Sequence, residues 1–383
     1  MTGVLVSEWI EQTGGAERVL DRLAGLFPDA DMLCLWNDAP QRYPGRHVRE
    51  TWLAATPLRR QKALALPLMP ATWRAPRRDS ARRDYEWALV SSHAFAHHVN
   101  VGSPSVPKYV YVHTPARYLW APELDARGDN LAARIARRPL RRIDKRAAQE
   151  ATSIAANSRF VADRVQRAWD RPATVINPPV DVARIGSRAW RAELTDADRR
   201  VLDALPPDFV LGVSRFIAYK RLDVVMQTGQ LLGLPVVIAG HGRLEAELRA
   251  MAADVTVPVQ FHIQPSDALV FALMERARLF VFPAIEDFGI VAVEAMASGT
   301  PVMANRIGGS GESVQEGLGG ALFDPRSETE IRSAAEACGL LDGARITAHA
   351  QQFDASRFDA ALRNWVSPHI ALADSGGARP TAS

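Results

Sequence analysis

Two carboxylates, Glu286 and Glu294, stand eight positions apart in EDFGIVAVEAMASGTPV, with Gly289 between them. Ionised carboxylates only accept hydrogen bonds, which suits the hydroxyls of a polyhydroxyl ligand. The spacing sets Glu286 in a loop at the mouth of a cleft and Glu294 about one turn into the following helix. Gly289 lets the backbone amides that open this helix come close to a ligand, and such amides favour anions. Without a ligand, Glu286 would be an exposed loop residue and Glu294 a helix-surface residue. Against the second reading, Glu294 is flanked by Val291, Ala292, Val293, Ala295, Met296 and Ala297, and an idle carboxylate on a helix apolar nearly all round is costly.

A pair of cations follows in GVSRFIAYKR. Lysine is scarce here: Lys62, Lys108, Lys145 and Lys220 are the only four, against 42 arginines (46 basic residues less four). The compact ammonium of Lys220 beside the fork of Arg215 suits the two sides of a diphosphate; read alone, such a pair is more often a solvated turn. Ser91-Ser92-His93 invites a hydrolase reading, but no nucleophile elbow surrounds either serine.

These residues need elements to hold them. Val4 to Val6 reads as a first strand and AERVLDRLAGLF as a helix opened by Gly14-Gly15, with Val19, Leu20, Leu23, Leu26 and Phe27 at helical spacing. Strands follow at Asp31–Trp36, Trp87–Ser92, Lys108–His113, Ser153–Ser158 and Thr174–Asp181, alternating with helical stretches. A polar connection with one helix, capped by Thr195, leads to a second cycle of strands: Phe209–Phe216, Pro235–Gly240, Val257–His262, Leu279–Ala284 and Thr300–Asn305. This predicts an α/β chain of two Rossmann-like domains, residues 1–181 and 182–355, then a helix over 356–370 and a loose tail over 371–383.

The bulk numbers agree. At 383 residues, 47% hydrophobic and 23% charged, the chain can fill two cores of ordinary size. Cys34 and Cys338 are too few and too far apart in sequence for a disulfide scaffold or thiolate metal site, which fits a reducing compartment. The start of the sequence shows no basic and apolar leader pattern and no window approaches eighteen apolar residues, so a cytoplasmic protein is expected. Charge is concentrated between Arg42 and Arg83, where Arg42, Arg46, Arg49, Arg59, Arg60, Lys62, Arg74, Arg77, Arg78, Arg82 and Arg83 interleave with Trp52, Leu64, Leu66, Leu68, Met69 and Trp73. That mixture suits the anionic face of a membrane, to which the protein would attach peripherally, and equally suits a solvated basic face. A second cluster from Arg134 to Arg146 is interrupted by Pro139, and no nucleic-acid motif accompanies either one.

GGAERV near the start, YVHTPARYLW ending at Trp120, VSRFIAYKR, and the Glu286–Glu294 segment resemble, in this order from Gly14 to about Asp324, the family 4 retaining glycosyltransferases of GT-B architecture. HTPARYLW is most similar to bacterial mannosyltransferases that build polysaccharides. The resemblance implies two Rossmann-like domains facing each other across a cleft, with the C-terminal helix crossing back to the first. It implies transfer of a hexose, mannose as the first choice, from a nucleotide-diphosphate sugar to a glycan or lipid-linked acceptor. In that frame Gly14 and Gly15 would meet the donor phosphates, and His113 would hydrogen-bond the donor sugar. Arg215 and Lys220 would bind the diphosphate, Glu286 the sugar hydroxyls and Glu294 the ribose hydroxyls. Asp287, Phe288, Gly289 and Ile290 would supply amides, and His262 and Ile263 would border the base.

GDP-mannose is the donor this implies first, with a UDP-sugar close behind; the nucleotide-sugar is a co-substrate, and neither cofactor nor metal is expected. Of the two DxD triplets, Asp29-Ala30-Asp31 falls in a helix-to-strand turn and Asp196-Ala197-Asp198 heads a helix, both ordinary places for aspartate. The sequence departs from the family pattern at Ile217-Ala218-Tyr219, where glycine or acidic residues are usual, and the glycines and Glu312 of IGGSGESVQEG could simply form a turn. Rival readings are a nucleotide-sugar epimerase of the same architecture and an NAD(P)-dependent oxidoreductase. The latter draws on Gly240 and Gly242 after a strand but lacks the third glycine of the dinucleotide fingerprint.

Overall fold

The computed structural model describes residues 2–75, 84–121 and 131–370. Arg77, Arg78, Arg82, Arg83 and the tail 371–383 lie outside the described residues. The chain divides into two compact units: residues 1–156, 164–176 and 359–383 make the first, and 157–163 with 177–358 the second. The expected break after Asp181 thus falls inside the second unit.

The first unit holds strands β1 (Gly3–Ile10), β2 (Asp31–Asn37), β3 (Val48–Glu50), β4 (Trp87–Ser92), β5 (Lys108–Val112), β6 (Ser153–Ala156) and β7 (Thr174–Val175). They form a parallel sheet in the order β3-β2-β1-β4-β5-β6-β7. The last helix, Ala355–Val366, joins this unit from Asp359 onward: Arg22 pairs with Asp359, and Trp365 Nε1 donates to Ser153 Oγ at 2.8 Å.

The second unit holds β8 (Val210–Arg215), β9 (Val236–His241), β10 (Val259–Ile263), β11 (Leu279–Phe282), β12 (Val302–Asn305) and β13 (Gly320–Phe323), all parallel in the order β10-β9-β8-β11-β12-β13. Alternate residues feed two separate cores, as a sheet covered on both faces requires. Leu211, Val237, Ala239, Phe280 and Phe282 pack on one side with Trp190 and Met296, while Val210, Val236, Ile238, Leu279 and Val281 pack on the other with Phe216 and Ile331.

The structure differs from the sequence reading in a few elements. Thr174–Asp181 shrinks to a two-residue strand because Pro178 and Pro179 remove ladder donors. β3 and β13 went unread, the one for its charges and the other for its glycines. The basic cluster is not broken at Pro139: the helix Leu131–Ala148 runs through it. Thr195 does cap its helix, in a full capping box with Asp198.

Candidate functional site

In an open parallel sheet, ligands gather at the carboxyl ends of the strands where successive connections leave in opposite directions. In the second sheet that switch lies between β8 and β11, and both segments singled out in the sequence follow these two strands. Lys220 closes a short 3-10 turn, Ala218–Lys220, after β8; Glu286 lies in the loop after β11. Their side chains meet, Lys220 Nζ to Glu286 Oε1 at 2.5 Å, and are only 13% and 15% exposed. Glu286 is therefore not an exposed loop residue. The departure at Ile217-Ala218-Tyr219 supplies the turn itself, with the Tyr219 and Phe282 rings 5.3 and 5.8 Å from the ammonium. Arg215 ends β8 with its side chain exposed and engages no described group through its guanidinium.

The helix after Glu286 runs Ile290–Ala297 and begins at Gly289, whose φ of 88° is left-handed. A Cβ there would lie 3.1 Å from both the Phe282 ring and Ser310 Cβ, so conformation and space both call for glycine. No side chain caps this helix, and the amides of Phe288, Gly289, Ile290 and Val291 donate to no protein group among the described residues. They are first-turn donors of the kind that bind anions. Beside them the Ser310 hydroxyl is buried without a partner among the described residues. Asp287 is buried, Phe288 points its ring into the core against Phe353 at 5.5 Å, and Glu294 is buried at 4% exposure rather than lying on the helix surface.

His262 and Ile263 end β10, the outer strand on the β9 side. His262 is half-buried, its Nε2 has no partner among the described residues, and burial lowers its pKa; Ile263 is exposed. Gly240 and Gly242 pack onto the backbone of Ser214 and Phe216, which accounts for glycine there without a dinucleotide. Glu312, readable from sequence as a turn residue, instead accepts the amides of Arg159 and Phe160 at 2.8 and 2.5 Å.

The remaining candidates belong to the first unit, whose switch lies between β1 and β4. Gly14 and Gly15 follow β1 and open the helix Gly15–Leu26. His113 follows β5, its Nε2 2.8 Å from Ser91 Oγ. Burial, reinforced by His93 and opposed by Glu8, brings its pKa down to about 3, so the ring is neutral near pH 7. Sequence reasoning missed Glu8, an acid wholly buried in an apolar strand, which was itself the available signal. It accepts the amides of Ala94 and Ala96 at 2.8 Å and of His93 at 3.1 Å. Burial works to raise its pKa, but His93 and these amides together bring it below the usual carboxylate range.

His97, His98 and Asp144, all fully buried, are near enough to share a metal ion. Their contacts have another explanation. Asp144 Oδ2 accepts the indole N–H of Trp120 and of Trp169, each at 2.7 Å, and Oδ1 lies 3.0 Å from His98 Nε2 and 3.2 Å from His97 Nε2. The carboxylate is thereby satisfied and Trp120 of the YVHTPARYLW motif is anchored. Asp31 and Asp198 of the two DxD triplets are likewise engaged, with Tyr85 and with Thr195.

Comparison with known proteins meets the second unit first. Residues 195–338 match the family of glycosyl transferases group 1. The chain is 30% identical over 236 residues to a D-inositol 3-phosphate glycosyltransferase of Streptomyces griseus, covering 52% of this chain and 50% of that one. It is 27% identical over 220 residues to the alpha-1,3/1,6-mannosyltransferase alg-2 of Neurospora crassa, covering 47% and 46%. The chain thus spans half or less of the length of these curated relatives. Whole-chain likeness comes from solved structures: HepE of Anabaena in complex with UDP (TM-score 0.70, 18% identity, 96% of this chain and 100% of that) and WaaG, a glycosyltransferase involved in lipopolysaccharide biosynthesis (TM-score 0.64, 15% identity, 94% and 99%). At such identities they speak for the fold alone. The chain has the GT-B-type fold of two parallel-sheet Rossmann-like domains, and its residues 195–338 match the glycosyl transferases group 1 family.

Proposed function

We propose that this protein is a retaining glycosyltransferase whose second domain binds a nucleotide-diphosphate hexose for transfer to a hydroxyl of a glycan or lipid-linked acceptor. The observation that carries the reading is the Lys220–Glu286 pair at the switch point of the second sheet, beside an uncapped helix start whose first amides donate to no group among the described residues. Transfer breaks the bond from the anomeric carbon to the diphosphate, leaving an oxocarbenium-like sugar and new negative charge on the departing nucleotide. Lys220, with ammonium hydrogens to spare beyond the one on Glu286, Arg215, and the amides of Phe288 to Ile290 meet that charge as fixed donors. Glu286 holds sugar hydroxyls and Glu294 the ribose. Fixed cations and amides take the place of a metal ion, and the departing phosphate takes the acceptor's proton, so no side chain is assigned as general base. GDP-mannose is the first donor to try, in keeping with a relative named as a mannosyltransferase.

A thermal-shift panel tests this: GDP-mannose, GDP-glucose, UDP-glucose and UDP-N-acetylglucosamine, each with and without magnesium. One nucleotide-sugar is expected to raise the unfolding temperature equally in both conditions. Stabilisation by NAD and by none of the panel would overturn the reading, and turnover of donor without acceptor into an epimeric sugar would move it to the epimerases.

A further inference from the structure

We propose that Ser158, anchored by Glu312, is a positioning residue that aims the anion-binding amides of the loop from Glu286 to Ile290; this rests on the donor reading above. Successive carbonyls of the loop are each taken by a different donor. Gly309 N donates to Glu286 O at 2.7 Å, Ser158 Oγ to Asp287 O at 2.5 Å and Ser313 Oγ to Phe288 O at 3.3 Å. In a planar trans peptide the carbonyl of one residue points opposite the amide of the next. Tying back these carbonyls therefore turns the amides of Asp287, Phe288 and Gly289 the other way, and those of Phe288 and Gly289 donate to no group among the described residues. Amide donors whose direction is fixed before the ligand arrives bind an anion without reorganisation.

Among the three ties, Ser158 is the one a side-chain change can cut cleanly. The Gly309 tie is backbone, and the Ser313 hydroxyl is shared with Ser310 O at 3.2 Å. Ser158 is fully buried. Its oxygen accepts Val161 N at 3.1 Å, which leaves its proton for Asp287 O at 2.5 Å in preference to Asn157 Oδ1 at 3.2 Å. Glu312 fixes the segment that carries it, one carboxylate oxygen on Arg159 N and the other on Phe160 N. Close packing completes the support: a Cβ at Gly309 would come within 2.0 Å of Asp287 O.

Calorimetric titration with UDP, UMP, GDP and GMP tests the role, using whichever base binds the wild type. The diphosphate-to-monophosphate affinity ratio isolates the terminal phosphate. Ser158→Ala is expected to lower this ratio about 3- to 10-fold, the worth of one hydrogen bond, with monophosphate affinity unchanged. Glu312→Gln, which keeps Ser158, is expected to lower it in the same direction and serves if Ser158→Ala does not fold. An unchanged ratio in the folded variant, or equal loss for both nucleotides, overturns the positioning role and leaves the donor reading standing. A wild type that binds neither diphosphate overturns both.

Discussion

The ion pair of Lys220 and Glu286 joins residues 66 positions apart at 2.5 Å with little solvent around either. The two charges compensate each other, so removing one leaves the other less well compensated. Lys220→Met and Glu286→Gln are each expected to cost about 1–3 kcal/mol of stability, below the full value for a dry pair because water still reaches this one. The double variant is expected to cost less than the two singles together, by about 1 kcal/mol or more of coupling. Activity is expected to follow a different rule: each single variant loses about 100-fold or more in kcat, and the double does not recover it, because both groups act on the donor. Denaturant melts and initial rates on the same proteins check the two halves. The sequence disclosed both residues, through lysine scarcity and the acidic spacing, but not their contact, since nothing local encodes an approach between two loops. Ser158 was legible only as the end of an expected strand; its bond to Asp287 O depends on where a distant loop passes.

At the scale of elements, the alternation of apolar runs was enough to place most strands, because strands buried on both faces leave a continuous apolar signal. It failed where that signal is absent, at the charged β3 and the glycine-bearing β13. It also could not show what joins elements in the first unit. The helix Leu131–Ala148 is fastened to the segment after β4 by Asp144 with His97 and His98. Burial, then the neighbouring His97, pulls the His98 pKa down from 6.5 to about 4, outweighing the pull of Asp144. A histidine with a lowered folded pKa is neutral in the native state and takes up a proton more readily when unfolded. Its cost is absent above pH 6.5 and grows as pH falls toward 4, reaching up to about 3 kcal/mol. Asp144, held well below the usual range against its burial chiefly by His97, supplies stability that begins to fade only below its ordinary 3.8, so it does not mask this window. Tryptophan fluorescence, with Trp120 and Trp169 beside the cluster, is expected to show the denaturant midpoint falling between pH 6.5 and 4. His98→Gln should reduce that slope, the remainder coming from His113, whose lowered pKa acts in the same direction over the same window.

For the molecule as a whole, net charge says less than where the charges are committed. Much of the Arg42 to Arg83 segment that suggested an anionic surface is used inside the first unit. Arg42 is paired with Asp21, Arg49 with Asp31, Arg59 with Asp38, Lys62 with Glu11 and Arg74 with Glu150, while Arg46 donates to the carbonyls of Ala24 and Phe27. Of the described cations in the segment, Arg60 alone engages no acid or carbonyl. Trp52, Leu64 and Leu68, by contrast, are exposed at 52%, 61% and 40%. Among the described residues no helix is long and apolar enough to cross a membrane. We propose that any lipid contact of this face is apolar first and electrostatic second. Paired cations release few counterions and add little to attraction, whereas each exposed side chain gains on burial in the interface. In co-sedimentation with vesicles rich in phosphatidylglycerol, binding is expected to change less than about threefold between 50 and 300 mM salt, an interval over which a face of free cations would lose far more. Trp52→Ser combined with Leu64→Ser should abolish it, and Arg60→Ala should leave most of it. Steep salt dependence would return the attraction to the arginines, and no sedimentation at the lower salt would remove the membrane from the account and favour a soluble acceptor.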